Sequence, residues 1–330
     1  SKKTLIIAEA GVNHNGKLDK AKELIDVAKD CGADIVKFQT FISDELVTKK
    51  ARKAKYQEDK RSKDQTQYSM LKKLELSQND FLELYKYSKI KKIEFLSTAF
   101  DLKSLKFLNK IGMKRFKIPS GEITNLPYLR KFSLFKKPII ISTGMSSIAD
   151  IDRALKVFKN KKNISILHCN SDYPTAYEDV NLSVIPNLKK KYNLNIGYSD
   201  HSLGIEVPIA AVALGARIIE KHFTLNRNLK GPDHASSLNP DQLYQMVKAI
   251  RNIEKAIGNK NKKVTQSEKK NITIVRKSII AKTLINKGDL FSVKNLIVKR
   301  PGNGLSPFLW DKLIGKKSNK KFLPNQIIKI

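Results

Sequence analysis

Two lysines, two histidines and a few carboxylates stand where apolar runs of this 330-residue chain give way to polar ones. Lys37 lies within Val36-Lys37-Phe38-Gln39-Thr40-Phe41, and Lys117 opens Lys117-Ile118-Pro119-Ser120-Gly121-Glu122. A lysine inside an apolar strand is costly unless an anion meets it. Hydroxyls end several other runs, as in Ser97-Thr98, Ser142-Thr143 and Tyr198-Ser199. Two cationic side chains and several hydroxyls converging on one mouth suit a phosphorylated, doubly anionic substrate. His201 and His222 close two successive runs, so together they offer two nitrogens to one divalent ion with positions left open. Glu9 and Glu122 are the carboxylates within reach of proton transfer. Taken singly, each residue has a plain reading: a strand-end histidine hydrogen-bonded in a core, or a lysine whose head reaches the rim. The convergence carries the argument.

The elements that must bring these groups together are read from the alternation of apolar runs and amphipathic stretches. Short apolar runs recur eight times, at residues 5–8, 35–38, 94–97, 115–118, 138–141, 164–167, 195–197 and 217–220. They have the length and composition of buried parallel strands. The stretches between them read as helices. One carries Leu18, Ala21, Leu24, Ile25 and Ala28 on a single face, a second is capped by Asp101, and a third follows Ser146 or Ser147. The last has Asn239 as cap, Pro240 at its first position and Gly258 after its end. Eight strand–helix units in about 258 residues predict an α/β fold, a (β/α)8 TIM barrel with its site at the C-terminal strand ends. An open doubly wound sheet is disfavoured because no G-x-G-x-x-G follows the first run. Residues 41–78 form a long insertion expected to cover the site. Residues 259–270 read as a linker, and 271–330 as a small β-rich module beyond the barrel domain of 1–258.

Composition sets bounds. No apolar run reaches 18 residues, which excludes a membrane-spanning helix, and the N-terminal run is too short for a signal peptide. Two cysteines, Cys31 and Cys169, make no disulfide framework, and a cytoplasmic location is expected. The net charge of +33 raises nucleic-acid binding as a rival reading. The charge is spread along the chain without interleaved aromatics, however, so it reads as a lysine-rich solvated surface and no nucleic-acid partner is expected.

The ordered set of motifs resembles the sialic acid synthases. It includes Glu9-Ala10-Gly11-Val12-Asn13-His14-Asn15-Gly16, the two lysine motifs above, Leu167-His168-Cys169-Asn170, Tyr173-Pro174-Thr175, Ser199-Asp200-His201, Glu220-Lys221-His222-Phe223-Thr224, Gly231-Pro232-Asp233-His234 and Lys299-Arg300-Pro301-Gly302-Asn303-Gly304. The resemblance covers essentially the whole chain and implies a metal-dependent condensation of phosphoenolpyruvate with an open-chain N-acylated amino sugar. N-acetylmannosamine, giving N-acetylneuraminate, is the expected substrate. Legionaminate synthesis from 2,4-diacetamido-2,4,6-trideoxymannose is the alternative, with pseudaminate synthesis behind it. By the same resemblance Lys37, Thr98, Lys117, Ser120 and Ser199 hold the enol-phosphate, joined by Ser171 where relatives carry Asn. Glu9, Gln39, Tyr173 and Asp233 fall on the sugar or metal side, and Glu122 moves protons. His201 and His222 ligate the ion, Mn²⁺ in the usual case, with Mg²⁺ or Co²⁺ as alternatives. The C-terminal module resembles the antifreeze-like (SAF) domain, which implies a domain-swapped homodimer in which Arg300 reaches the partner's sugar.

Overall fold

The structure, a computed structural model, describes residues 3–54, 57 and 66–329. Ten of the insertion residues expected to cover the site, 55–56 and 58–65, lie outside the described residues. The chain forms two compact units, Ser1–Gly258 and Asn259–Ile330.

In the first unit all eight expected strands form: β1 (Leu5–Gly11), β2 (Ile35–Thr40), β3 (Glu94–Ala99), β4 (Phe116–Ile118), β5 (Ile139–Ser142), β6 (Ile164–Cys169), β7 (Asn195–Asp200) and β8 (Ile218–His222). They pair in parallel in the order β3-β2-β1-β8-β7-β6-β5-β4. β3 and β4 lie side by side and bring the ring close to closure. Isoleucine, leucine and valine dominate the strands because both strand faces are covered, by helices outside and by packed side chains inside. Gly197 marks one crowded point. A Cβ there would meet the Ile218 carbonyl and the Leu167 side chain, so only glycine lets β7 approach its neighbours this closely.

The helix signals hold in detail. Asp101 caps residues Leu102–Lys110 by accepting the Ser104 amide at 2.7 Å. Ser147 caps Ile148–Lys156, and Asn239 caps Pro240–Ile257 with Pro240 in the first turn. Each cap satisfies backbone N–H groups that have no partner within the helix. The strands run further than the apolar runs predict, and always at the C-terminal end. β2 extends to Thr40, β3 to Ala99, β6 to Cys169, β7 to Asp200 and β8 to His222. Glu9, Lys37, Gln39, Thr98, Lys117, Ser199 and His222 are therefore strand residues, held by backbone ladders rather than by loops.

In the second unit β9 (Ser278–Ala281) pairs antiparallel with β10 (Leu296–Lys299). Ile279, Ile285, Phe291, Leu296, Phe322 and Ile328 belong to a core of its own. A helix, Gln266–Val275, capped by Thr265, begins inside the stretch read as linker. Thr265 and Glu268 form a reciprocal cap, and this local signal outweighs the polar composition that suggested an unstructured connection. No helix among the described residues is long and apolar enough to cross a membrane.

Candidate active site

Strand alternation decides which side chains enter the barrel. In β7 and β8, Ser199 and His201, and Glu220 and His222, fall on one face, while Asp200 and Lys221 fall on the other. The same parity puts Lys37 and Gln39 together in β2. These residues open onto a single cavity of about 510 Å³, whose lining includes Glu9, Lys37, Gln39, Thr98, Lys117, Ser120, Ser171, Tyr173, Ser199, His201, Glu220 and His222.

Its floor is ionic. Lys37 Nζ lies 2.9 Å from Glu9 Oε2, 3.6 Å from Glu220 Oε2 and 3.2 Å from Thr98 Oγ1. Lys117 Nζ lies 3.3 Å from Glu220 Oε1, which also accepts the Ser199 hydroxyl at 3.0 Å. All four charged side chains are buried. Burial works against the charge on Glu220, but Lys117 and Lys37 outweigh it and hold the carboxyl down at about 2. Glu9 differs: burial dominates, Lys37 offsets it only partly, and the carboxyl is pushed up to about 7. Burial likewise lowers the Lys117 ammonium, whereas Glu220 and Glu9 overcome burial at Lys37 and raise it. Two buried cations thus share one firmly ionised carboxylate and one that exchanges its proton near neutrality. Such a floor retains capacity for an anion.

Above the floor, Ser120 Oγ accepts the Gly144 amide at 2.9 Å. A Cβ on Gly144 would collide with the Ser120 and Ser171 hydroxyls, so glycine keeps both inside the cavity. The His201 and His222 rings lie 5.5 Å apart, each against the Tyr173 ring. His201 Nδ1 donates to the Asn170 carbonyl, which leaves Nε2 as its remaining nitrogen. His222 Nδ1 is buried without a hydrogen bond, and burial drives its imidazole well below the usual range, so it stays neutral. The nearest carboxylate, Asp233 Oδ2, is 3.9 Å from it and is itself pushed up to about 6 by burial. Two imidazoles, one with an unpartnered nitrogen, fit a two-nitrogen contribution to a divalent ion. Among the described residues no group of three or more His, Cys, Asp or Glu side chains makes a ready-made cage.

Of the expected barrel residues, Glu122 and Asp233 lie outside the cavity lining. Glu122 lies in the turn Ser120–Glu122, outside the cavity lining, and its carboxylate accepts the Asn125 amide at 2.6 Å. The alternation that brings Lys117 inward ends with β4, so Glu122 does not follow it. Asp233 stands behind His222 rather than in the lining. Arg300 belongs to the second unit, exposed, with its Nε donating to the Val275 carbonyl at 2.9 Å. Sequence reasoning missed Glu220. It sits two residues before His222 in a strand buried throughout, and that parity was the available signal. It also missed the pair behind the histidines. Lys221 donates to Asp200 and to the Ser202 carbonyl, and both charged side chains are fully buried. This pair fixes the register of β7 against β8 immediately beside His201 and His222.

A barrel gathering an anion-ready ionic floor and two imidazoles at its C-terminal strand ends is built to take an anionic substrate beside a divalent ion. The chain belongs to the NeuB family, whose profile matches residues 24–262, and it carries a SAF domain at 276–330. It is 50% identical to an N,N'-diacetyllegionaminic acid synthase of Campylobacter jejuni over 99% of both chains. It is 46% identical to the protein of that name from Legionella pneumophila, over 94% of this chain and 89% of that one. Among solved structures, an N-acetylneuraminic acid synthetase of Leptospira borgpetersenii, in complex with citrate, matches with a TM-score of 0.74 at 38% identity. That match covers 82% of this chain and 90% of the other.

Proposed function

We propose that this enzyme condenses phosphoenolpyruvate with 2,4-diacetamido-2,4,6-trideoxymannose and water, yielding N,N'-diacetyllegionaminic acid and phosphate. The observation that carries the reading is the near full-length identity to two legionaminic acid synthases. The expectation of N-acetylneuraminate as product gives way to this alternative. The lysine motifs serve the enol donor in both synthases, so they do not separate the two sugars.

Carbon 3 of the enol attacks the aldehyde carbon of the open-chain sugar. Water then adds to the resulting electron-poor carbon 2, and its carbon–oxygen bond to phosphate breaks. Lys37 and Lys117, with Thr98, Ser120, Ser171 and Ser199, hold the phosphate and carboxylate of the donor. Glu220 keeps both lysines charged, and its loss would leave them repelling each other. Glu9, which titrates near 7, is matched to proton transfer at neutral pH. Gln39 and Tyr173 orient the sugar, and Asp233 supports His222. His201 and His222 would hold the divalent ion, Mn²⁺ in the first instance, which polarises the aldehyde oxygen when bound. The active form is a homodimer in which Arg300 of one protomer's SAF domain contacts the sugar bound to the other. Two free thiols fit a cytoplasmic enzyme.

The test is phosphate release from phosphoenolpyruvate with either sugar. The expected kcat/KM favours the diacetamido sugar over N-acetylmannosamine by roughly a hundredfold. A preference for N-acetylmannosamine would overturn the assignment.

A further inference from the structure

The cavity changes character with height. Lys37, Gln39 and Phe41 occupy alternate positions along and just past β2, and Thr98 and Phe100 do the same at β3. Each series climbs from a polar side chain on the floor to an aromatic one above it. The hydrogen bond from the Phe100 amide to the Thr40 carbonyl, 3.0 Å, continues the strand pairing to that level. The insertion after β2 packs Leu46, Val47 and Leu71 onto these rings in a cluster separate from the barrel core. All five apolar side chains line the same cavity as Lys37 and Lys117. The insertion, which also lines the cavity with Gln57 and Gln67, thus supplies a carbon surface to a site that receives a sugar.

We propose that the wall formed by Phe41, Leu46, Val47, Leu71 and Phe100 selects sugars lacking oxygen at carbon 6. The inference rests on the proposed synthase activity and adds to it the residues that read the sugar's far end. Carbon 1 must meet the enol donor held by the floor lysines. In the open chain, carbon 6 is the carbon farthest from that bond, which brings it to the height of the wall. A methyl group there sheds water against carbon. A hydroxyl there gives up its water partners against carbon. Apolar surfaces reject an added hydroxyl by at most about a hundredfold, and that sets the scale expected here.

The test uses two sugar pairs, each differing by one oxygen: N-acetylmannosamine with its 6-deoxy counterpart, and 2,4-diacetamido-2,4-dideoxymannose with its 6-deoxy counterpart. With phosphoenolpyruvate saturating, wild type should favour the 6-deoxy member of each turned-over pair by about tenfold to a hundredfold in kcat/KM. Val47→Thr and Phe100→Tyr each add a hydroxyl to the wall with little change of volume. Each should lower that ratio by about threefold or more, with the KM for phosphoenolpyruvate little changed. A wild-type ratio at or below one, or a ratio unmoved in both variants, overturns the role of the wall. A clear 6-deoxy preference confined to the N-acetylmannosamine pair would refute the legionaminate assignment and leave the wall standing. Loss of turnover with all four sugars would refute both.

Discussion

Replacing Glu220 with Gln tests the ionic floor directly. The carboxylate is 3.3 Å from Lys117 Nζ and 3.6 Å from Lys37 Nζ. Each attraction amounts to about 5 kcal/mol at an effective dielectric of about 20. Part of this is offset because Glu220 no longer loses its hydration on folding. Breaking a buried pair by removing one partner costs about 3–5 kcal/mol. Lys37 keeps Glu9 at 2.9 Å, so the lower end of that range applies, about 3 kcal/mol. For a unit of this size the melting temperature should fall by roughly 6–12 °C. An anion should then compensate, because it replaces the missing negative charge. Phosphoenolpyruvate or inorganic phosphate should raise the melting temperature of Glu220→Gln more than that of wild type. Lys117→Ala, which removes a cation, should instead weaken the shift that phosphate produces and raise the KM for phosphoenolpyruvate. Differential scanning calorimetry with and without phosphate reads all of these. The reasoning fails if Glu220→Gln melts with wild type, or if phosphate stabilises the two equally.

Other substitutions probe separate parts of the site. The folded-state value of Glu9 is raised from 4.5 to about 7, so its contribution to stability is present below about pH 4.5 and lost as pH rises through about 7. The stability of Glu9→Gln relative to wild type should therefore increase across that window in denaturant titrations, and a constant difference would contradict the shift. Lys221→Met leaves Asp200 buried without its cation and should cost about 3–5 kcal/mol. The Asp200→Asn/Lys221→Met double variant should recover much of that loss, and additive losses would argue against a coupled brace. His201→Ala should lose Mn²⁺ binding in calorimetry and metal-dependent turnover together. Turnover that survives with a chelator present would remove the ion from the account.

The barrel was readable because its strands are buried on both faces and its helices carry ordinary caps, so apolar runs and Asp101, Ser147 and Asn239 mark the same boundaries. Strand ends were read short because Gln39, Thr98, Ser199 and His222 break the apolar runs while still belonging to the ladders. Lys37, Lys117, His201 and His222 were recognised from their types and spacing. Glu220 was not, since a glutamate beside a lysine on a strand reads as a solvated pair until all of β8 is known to be buried. Glu122 shows the converse: its type fitted the chemistry, but the turn after β4 takes it to Asn125. The apolar wall depends on contacts between the insertion and the ends of β2 and β3, and no local periodicity records them.

A crystal structure of the chain with phosphoenolpyruvate would be the most direct measurement. One enol-phosphate should bind at the C-terminal strand ends, with its anionic oxygens about 3 Å from Lys37 Nζ and Lys117 Nζ and its carbon 3 open toward the Phe41–Phe100 side of the cavity. Phosphoenolpyruvate bound elsewhere, with Lys37 and Lys117 still paired only to Glu9 and Glu220, would contradict the account.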